Sequence, residues 1–236
     1  EFARWLTHTE HPLTTRVMVN RIWLWHFGAG IVRTPDNFGK LGMRPTHPAL
    51  LDWLALRLVE NNWSIKQMHR IILNSATYQM HTTFNAKAHE MDPENRLWWR
   101  FNRRRLLAEE VRDSVILIGG SMNLAMQDQL MPHKPREYVT ATGFKNTNFN
   151  FECRSVYLPV IRSAVFSVMQ AFDFGDPAVI QGQRASTVSA PQSLFMMNHN
   201  MVAAASQQVA ERTLQAGRQP NTVTEQIYRQ ILRRRP

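Results

Sequence analysis

Apolar positions recur with a period near 3.6 along several segments of this 236-residue chain, and turn residues separate those segments. Between Pro12 and Gly28, the side chains of Leu13, Val17, Leu24 and Phe27 fall on one helical face. Pro12 suits a first helical position and Gly28 a stop. Asn20 lies on the same stripe, between Val17 and Leu24. Residues 28–45 hold four Gly and two Pro, which predicts a loop with one short extended piece at Ile31–Val32. A second helix is expected after Thr46, with Leu51, Leu54, Ala55 and Leu58 inward and Asp52, Arg57 and Glu60 outward, ending at Asn61–Asn62. Ser64 with Gln67 three residues on forms a capping box and opens a third helix on Ile65, Met68, Ile72 and Ala76. A fourth runs from about Leu107 through Val111, Val115 and Ile118 to Gly119–Gly120.

The second half begins differently. From Pro132 to Cys153 the chain shows no sustained period, which predicts a long middle loop. Arg154 to Val160 alternates and reads as an edge strand, limited by Pro159. After a turn at Phe172–Pro177, Ser189 and Gln192 form another capping box, and helices fill most of 192–217 and 222–233. The expected fold is mainly α: a single helical domain over 1–236 with a minor β element and a long middle loop. The ends suggest a fragment of a larger multidomain protein, since residue 1 is Glu and the chain stops directly after a helical stretch.

Composition narrows the function classes. The chain is 44% hydrophobic with 7 Trp and 12 Phe, which is ample for a core and excludes wholesale disorder. No apolar run is long enough to span a bilayer. The single cysteine, Cys153, excludes an internal disulfide, a cysteine-rich zinc site and a C-x-x-C-H haem attachment. Lys+Arg exceed Asp+Glu by 28 to 18, a formal charge of +10, so anionic partners are favoured.

Candidate chemistry is sparse. Asn20, a polar residue on an apolar stripe, needs partners, and Arg16 and Asp36 are the nearest candidates for a polar network. His26, His47 and His69 have no metal-ligand spacing, and no metal site is expected. Asp173 and Asp176 flank an aromatic turn, where acids usually form caps and turns. No nucleophile elbow, phosphate loop or dinucleotide fingerprint occurs, so catalytic residues are unknown. The most distinctive cluster is basic and aromatic: Arg96, Trp98, Trp99, Arg100, Arg103 and Arg104 crowd together with Phe101 and Arg105. Guanidinium planes beside indoles suit anions and sugar rings. The alternative is that the aromatics are core and the arginines pair with Glu109 and other acids.

Several motifs together resemble a known family. They are Pro12-Leu13-Thr14; Val19-Asn20-Arg21-x-Trp23-x-x-His26-Phe27-Gly28-x-Gly30; Thr34-Pro35; Phe38-Gly39; and Thr46-His47-Pro48 with Leu50 to Leu54. Further on come Ser75-Ala76-Thr77-Tyr78, Arg103-Arg104-Arg105-Leu106 leading to Glu109 and Arg112-Asp113-Ser114, and Arg154 to Pro159. Phe172-Asp173-Phe174-x-Asp176-Pro177 and Gln192-Ser193-Leu194-Phe195 to Asn198 complete the set. In order and over nearly the whole chain, these resemble the C-terminal domain of unknown function of large secreted planctomycete proteins that often also carry a planctomycete-type cytochrome c domain. The resemblance implies an extracytoplasmic setting (secreted or cell envelope) and partners among the other domains of a parent protein. It puts no cofactor in this chain and any haem in a separate domain.

The expected function is a non-catalytic binding or scaffold module of such a secreted or envelope multidomain protein. The alternative is an enzyme or redox-coupled subunit acting on anionic (sulfated or uronic) polysaccharide. Nucleic acid, suggested only by charge and a pI near 10.6, lacks a recognition motif.

Overall fold

Helix starts and stops fall where local chemistry places them. The computed structural model describes residues 1–128, 130, 151–162, 165–215 and 220–236. Its helices are α1 (Phe2–Leu6), α2 (Thr14–Phe27), α3 (Pro48–Glu60), α4 (Ile65–Leu73), α5 (Ala86–Met91), α6 (Ala108–Gly119), α7 (Ser167–Ala171), α8 (Ala190–Asn198), α9 (Asn200–Gln215) and α10 (Pro220–Leu232). The protein is mainly α. The expected long loop lies almost wholly outside the described residues. No helix among the described residues is long and apolar enough to cross a membrane.

The chain divides into two compact units, Glu1–Arg105 with Gln181–Gln183, and Leu106–Ile180 with Arg184–Pro236. In the first, α2 packs on α3, and α4 packs on both. Pro48 opens α3, whose Leu51, Leu54, Ala55 and Leu58 are all buried as the period demands. Ser64 Oγ accepts from Gln67 N and caps α4, which buries Met68 and Ile72. Gly28 ends α2 and Gly120 ends α6, at φ 77° and 92°, left-handed conformations that a Cβ would strain. Val19, Ile22, Phe27, Ile31 and Leu58 are wholly excluded from solvent and form the centre of this unit's core.

Several expectations need correction. Helix α2 starts at Thr14, so Pro12 precedes it and Leu13 is exposed at its N-cap; Leu24 and Phe27 of the expected face are buried, together with Val19, Ile22 and Trp23. Helix α4 ends at Leu73, short of Ala76, because the hydroxyl of Ser75 donates to Ile72 O and accepts from Tyr78 N, turning the chain. The Arg154–Val160 strand does not form. Ser155–Tyr157 is a 3-10 turn, because Asp113 takes both the N–H and the hydroxyl of Ser155, at 2.8 and 2.6 Å. The β character among the described residues is one isolated parallel bridge, Asn123 to Cys153.

In the second unit α6 packs along α9. The buried face of α6 is Ala108, Arg112, Ile116 and Gly119, one position on from the expected Val111, Val115 and Ile118. An arginine therefore faces inward. The Ser189–Gln192 capping box forms at the start of α8 as expected.

Candidate functional site

The basic-aromatic segment folds as a strap rather than as a strand or helix. Asp92 closes its first turn, its carboxylate accepting from Arg96 N at 2.9 Å and Leu97 N at 2.7 Å. Asn95 then holds the far side, its amide donating to Arg100 O at 2.7 Å and to Asn102 Oδ1 at 2.8 Å. Both are buried, as polar side chains are when they satisfy a loop's backbone. Pinned this way, the strap drives Trp98 inward at φ 58°, edge-on to Trp23 at 5.6 Å and close to Phe27 at 5.1 Å. Trp98 is therefore core, which corrects its assignment to a ligand-facing patch.

The rest of the cluster is at the surface. Trp99 is half-buried and donates its indole N–H to Asp92 O at 2.9 Å. The Arg100 guanidinium lies 4.6 Å from the Trp99 ring and 5.6 Å from that of Phe84. Arg103, Arg104 and Arg105 are exposed, and Arg96 is half-buried. Behind the strap, Arg33 packs over Trp98 at 5.5 Å, and its Nε and Nη2 lie out of solvent without a hydrogen-bond partner. The indole N–H of Trp98 is unpaired in the same way. Burial, and then the neighbouring Arg96 cation, pull the Arg33 pKa down against the opposing pull of Glu94 and Asp92.

The predicted Arg16–Asn20–Asp36 network does not assemble. Asn20 is completely buried and holds one residue: its Oδ1 accepts from Val32 N at 2.8 Å and its Nδ2 donates to Val32 O at 3.1 Å. It thus mimics a β-strand partner for the Ile31–Val32 segment. A Cβ on Gly30 would stand 2.5 Å from Val32 O and 2.8 Å from Asn20 Nδ2, so the latch needs glycine there. Arg16 instead pairs with Asp52 at 2.6 Å, and Asp36 accepts from Gly182 N at 2.7 Å with Arg21 at 3.3 Å. Side chains were the obvious partners to expect; a backbone was the actual one.

Of the histidines, His26 and His69 meet, Nε2 to Nδ1 at 2.8 Å, with the Tyr78 ring edge-on to His26. Burial lowers the His26 pKa, and His69 and Arg104 lower it further. Among the described residues no group of three or more His, Cys, Asp or Glu could hold a metal ion.

The second unit is organised by Arg112, which is 3% exposed. Its Nη1 donates to Cys153 O at 2.9 Å and Ser155 Oγ at 3.2 Å, and its Nη2 to Phe151 O. Desolvation lowers its pKa, with Asp113 opposing. Beside it lies a cleft of about 460 Å³ with an apolar wall including Leu158, Ile161, Phe166 and Met169. Three carboxylates line the cleft, and each holds a partner. Glu109 takes Arg184 at 2.7 Å, Glu110 accepts from Leu107 N at 2.8 Å, and Asp113 holds Ser155. Asp173 likewise serves a turn, accepting from Thr187 N at 2.8 Å and from Gln192 Nε2 at 3.2 Å. A second cleft, of about 590 Å³, holds Ser167 3.3 Å from His199 Nε2. His199 Nδ1 accepts from Met201 N, which leaves the proton of the neutral ring on Nε2. His199 therefore donates to Ser167 and is not placed as its base.

The family model for PSD1, described as a protein of unknown function (DUF1553), matches residues 1–236. The chain belongs to this family. No curated protein and no solved structure matches it. In this DUF1553 chain the motif residues Asn20, Arg112, Asp113, Ser155 and Gln192 have structural work, each fixing a turn or loop. Sequence reasoning passed over Arg33, and it named Arg112 in a motif without giving it a role. Sitting one position off the expected apolar stripe, Arg112 carries no local signal that it faces inward.

Proposed function

We propose that this chain is a non-catalytic binding or scaffold module of a secreted or envelope, planctomycete-type multidomain protein, and that it holds anionic polysaccharide on its 96–105 strap. The observation that carries the binding role is the strap itself. Asp92 and Asn95 pin its backbone, Arg100 stacks on Trp99, and Arg103 to Arg105 are exposed alongside. A stacked guanidinium and indole give a sugar ring a flat contact, and nearby arginines meet sulfate or carboxylate groups. The secreted setting and a haem domain elsewhere in the parent protein rest on the sequence resemblance. An enzyme or redox-coupled subunit acting on such a glycan would draw on the 460 Å³ cleft. The carboxylates there are already engaged, which favours the binding reading.

Exposed charge contacts contribute about 0–1 kcal/mol each, so retention requires several and weakens with salt. The wild-type chain should be retained on a sulfated-glycan column at low salt. Arg103→Ala with Arg104→Ala should elute at clearly lower salt than the charge-matched Lys66→Ala with Lys87→Ala, both of whose lysines are exposed elsewhere on the same unit. Equal elution of the two doubles reduces the interaction to net charge and sinks the strap. For the setting, an antibody against this chain should detect a polypeptide much larger than 27.4 kDa outside the cytoplasm of the source cell. A band of that size in the cytoplasmic fraction would refute it.

A further inference from the structure

Arg33 presents an unusual combination behind the strap. Its two unpartnered nitrogens, Nε and Nη2, form one edge of the guanidinium plane, the side that binds carboxylate or sulfate through two parallel N–H···O bonds. A buried cationic donor left unpaired costs more than a neutral one, so the edge favours an acceptor strongly. The acids nearby do not supply it. Asp92 spends its two oxygens on Arg96 N and Leu97 N, and Glu94 is exposed, so both reach Arg33 only through space. Trp98, 6% exposed, packs its ring face against the Arg33 guanidinium and offers it no oxygen acceptor. All the unsatisfied atoms here are donors. That is the complement of an oxyanion.

We propose that the Nε–Nη2 edge of Arg33 is the anchor of an oxyanion site that takes the two oxygens of a sulfate or carboxylate group, with the core Trp98 ring packed beside it as a reporter. The site deepens the polysaccharide reading, on which its choice of ligand rests. The exposed arginines of the strap gather the polymer, and Arg33 grips one charged substituent. Because both nitrogens lie out of solvent, neighbouring side chains shift to admit the group, which favours a small substituent over a bulky one.

The test follows the Arg33 Nε–H and Trp98 indole N–H resonances of the whole chain by heteronuclear NMR. Sodium sulfate, sodium acetate and sodium chloride are titrated separately at matched ionic strength. Both resonances should shift saturably with sulfate or acetate and not with chloride. Saturation with sulfate alone assigns a sulfate ester, and with acetate alone a uronic carboxylate. Shifts that are linear, or equal with chloride, overturn the proposal and leave the edge to internal water. Arg33→Lys keeps the charge without the fork and should abolish the saturable shift of Trp98; if it does not fold, the wild-type titration alone decides. Arg103→Ala with Arg104→Ala should keep the saturable shifts while eluting from the column at lower salt, so the strap and the Arg33 site can fail separately.

Discussion

Replacing Arg112 with alanine is expected to lower stability by about 3–5 kcal/mol, the range for removing one partner of a buried charged network. The guanidinium is 3% exposed and ties α6 to the carbonyls of Phe151 and Cys153 and to the hydroxyl of Ser155. Alanine would leave two carbonyl oxygens without that donor and Asp113 without its adjoining cation, 3.4 Å away. It would also leave a cavity. Arg112→Lys keeps the charge, but one ammonium does not reproduce a planar fork serving three acceptors, so it should restore only part of the loss. Urea denaturation of the three proteins measures this. A shift below about 1 kcal/mol for Arg112→Ala, within the range of an ordinary point mutation, would show that the network does not organise this unit.

Much of the helical framework was legible because its signals are local. Ser64–Gln67 and Ser189–Gln192 bring cap and capped N–H within three residues, and Gly28 and Gly120 meet a left-handed backbone at the helix end itself. What escaped depends on contacts distant in sequence. Arg112 reads as a surface residue until its acceptors arrive from 39 to 43 positions away. The same contacts explain the missing strand: Asp113 captures Ser155, and alternation in 154–160 cannot reveal that. In the strap, crowding of arginines and aromatics carries no signal of which side chains turn inward. Asp92 and Asn95 impose irregular turns, and Trp98 goes to the core while Arg100 stays on Trp99. Asn20 was recognisable as a polar residue that needed partners. Its partner was not, because a backbone amide and carbonyl carry no residue-type signature.

That last point makes Asn20 the sharpest probe of the first unit. Asn20→Ala removes both hydrogen bonds to Val32 and is expected to cost about 1–3 kcal/mol. Asn20→Asp preserves shape yet should cost more at neutral pH, about 3–5 kcal/mol, because a carboxylate oxygen would replace Nδ2 opposite the Val32 carbonyl in a site with no solvent exposure. The cost should depend on pH with a definite sign. Burial and the facing carbonyl raise the folded pKa of the introduced acid above its unfolded value of about 3.9. Below that value both states are protonated, and the acid O–H donates to Val32 O as the amide did. As pH rises past it, the unfolded chain releases the proton while the folded protein retains it. Stability relative to wild type should then fall by about 1.4 kcal/mol per pH unit and level off above the folded pKa. Urea midpoints of the wild type, Asn20→Ala and Asn20→Asp between pH 4 and 7 test this. If the Asn20→Asp curve runs parallel to wild type, the carboxylate is solvated and the Asn20–Val32 latch is not the closed contact described.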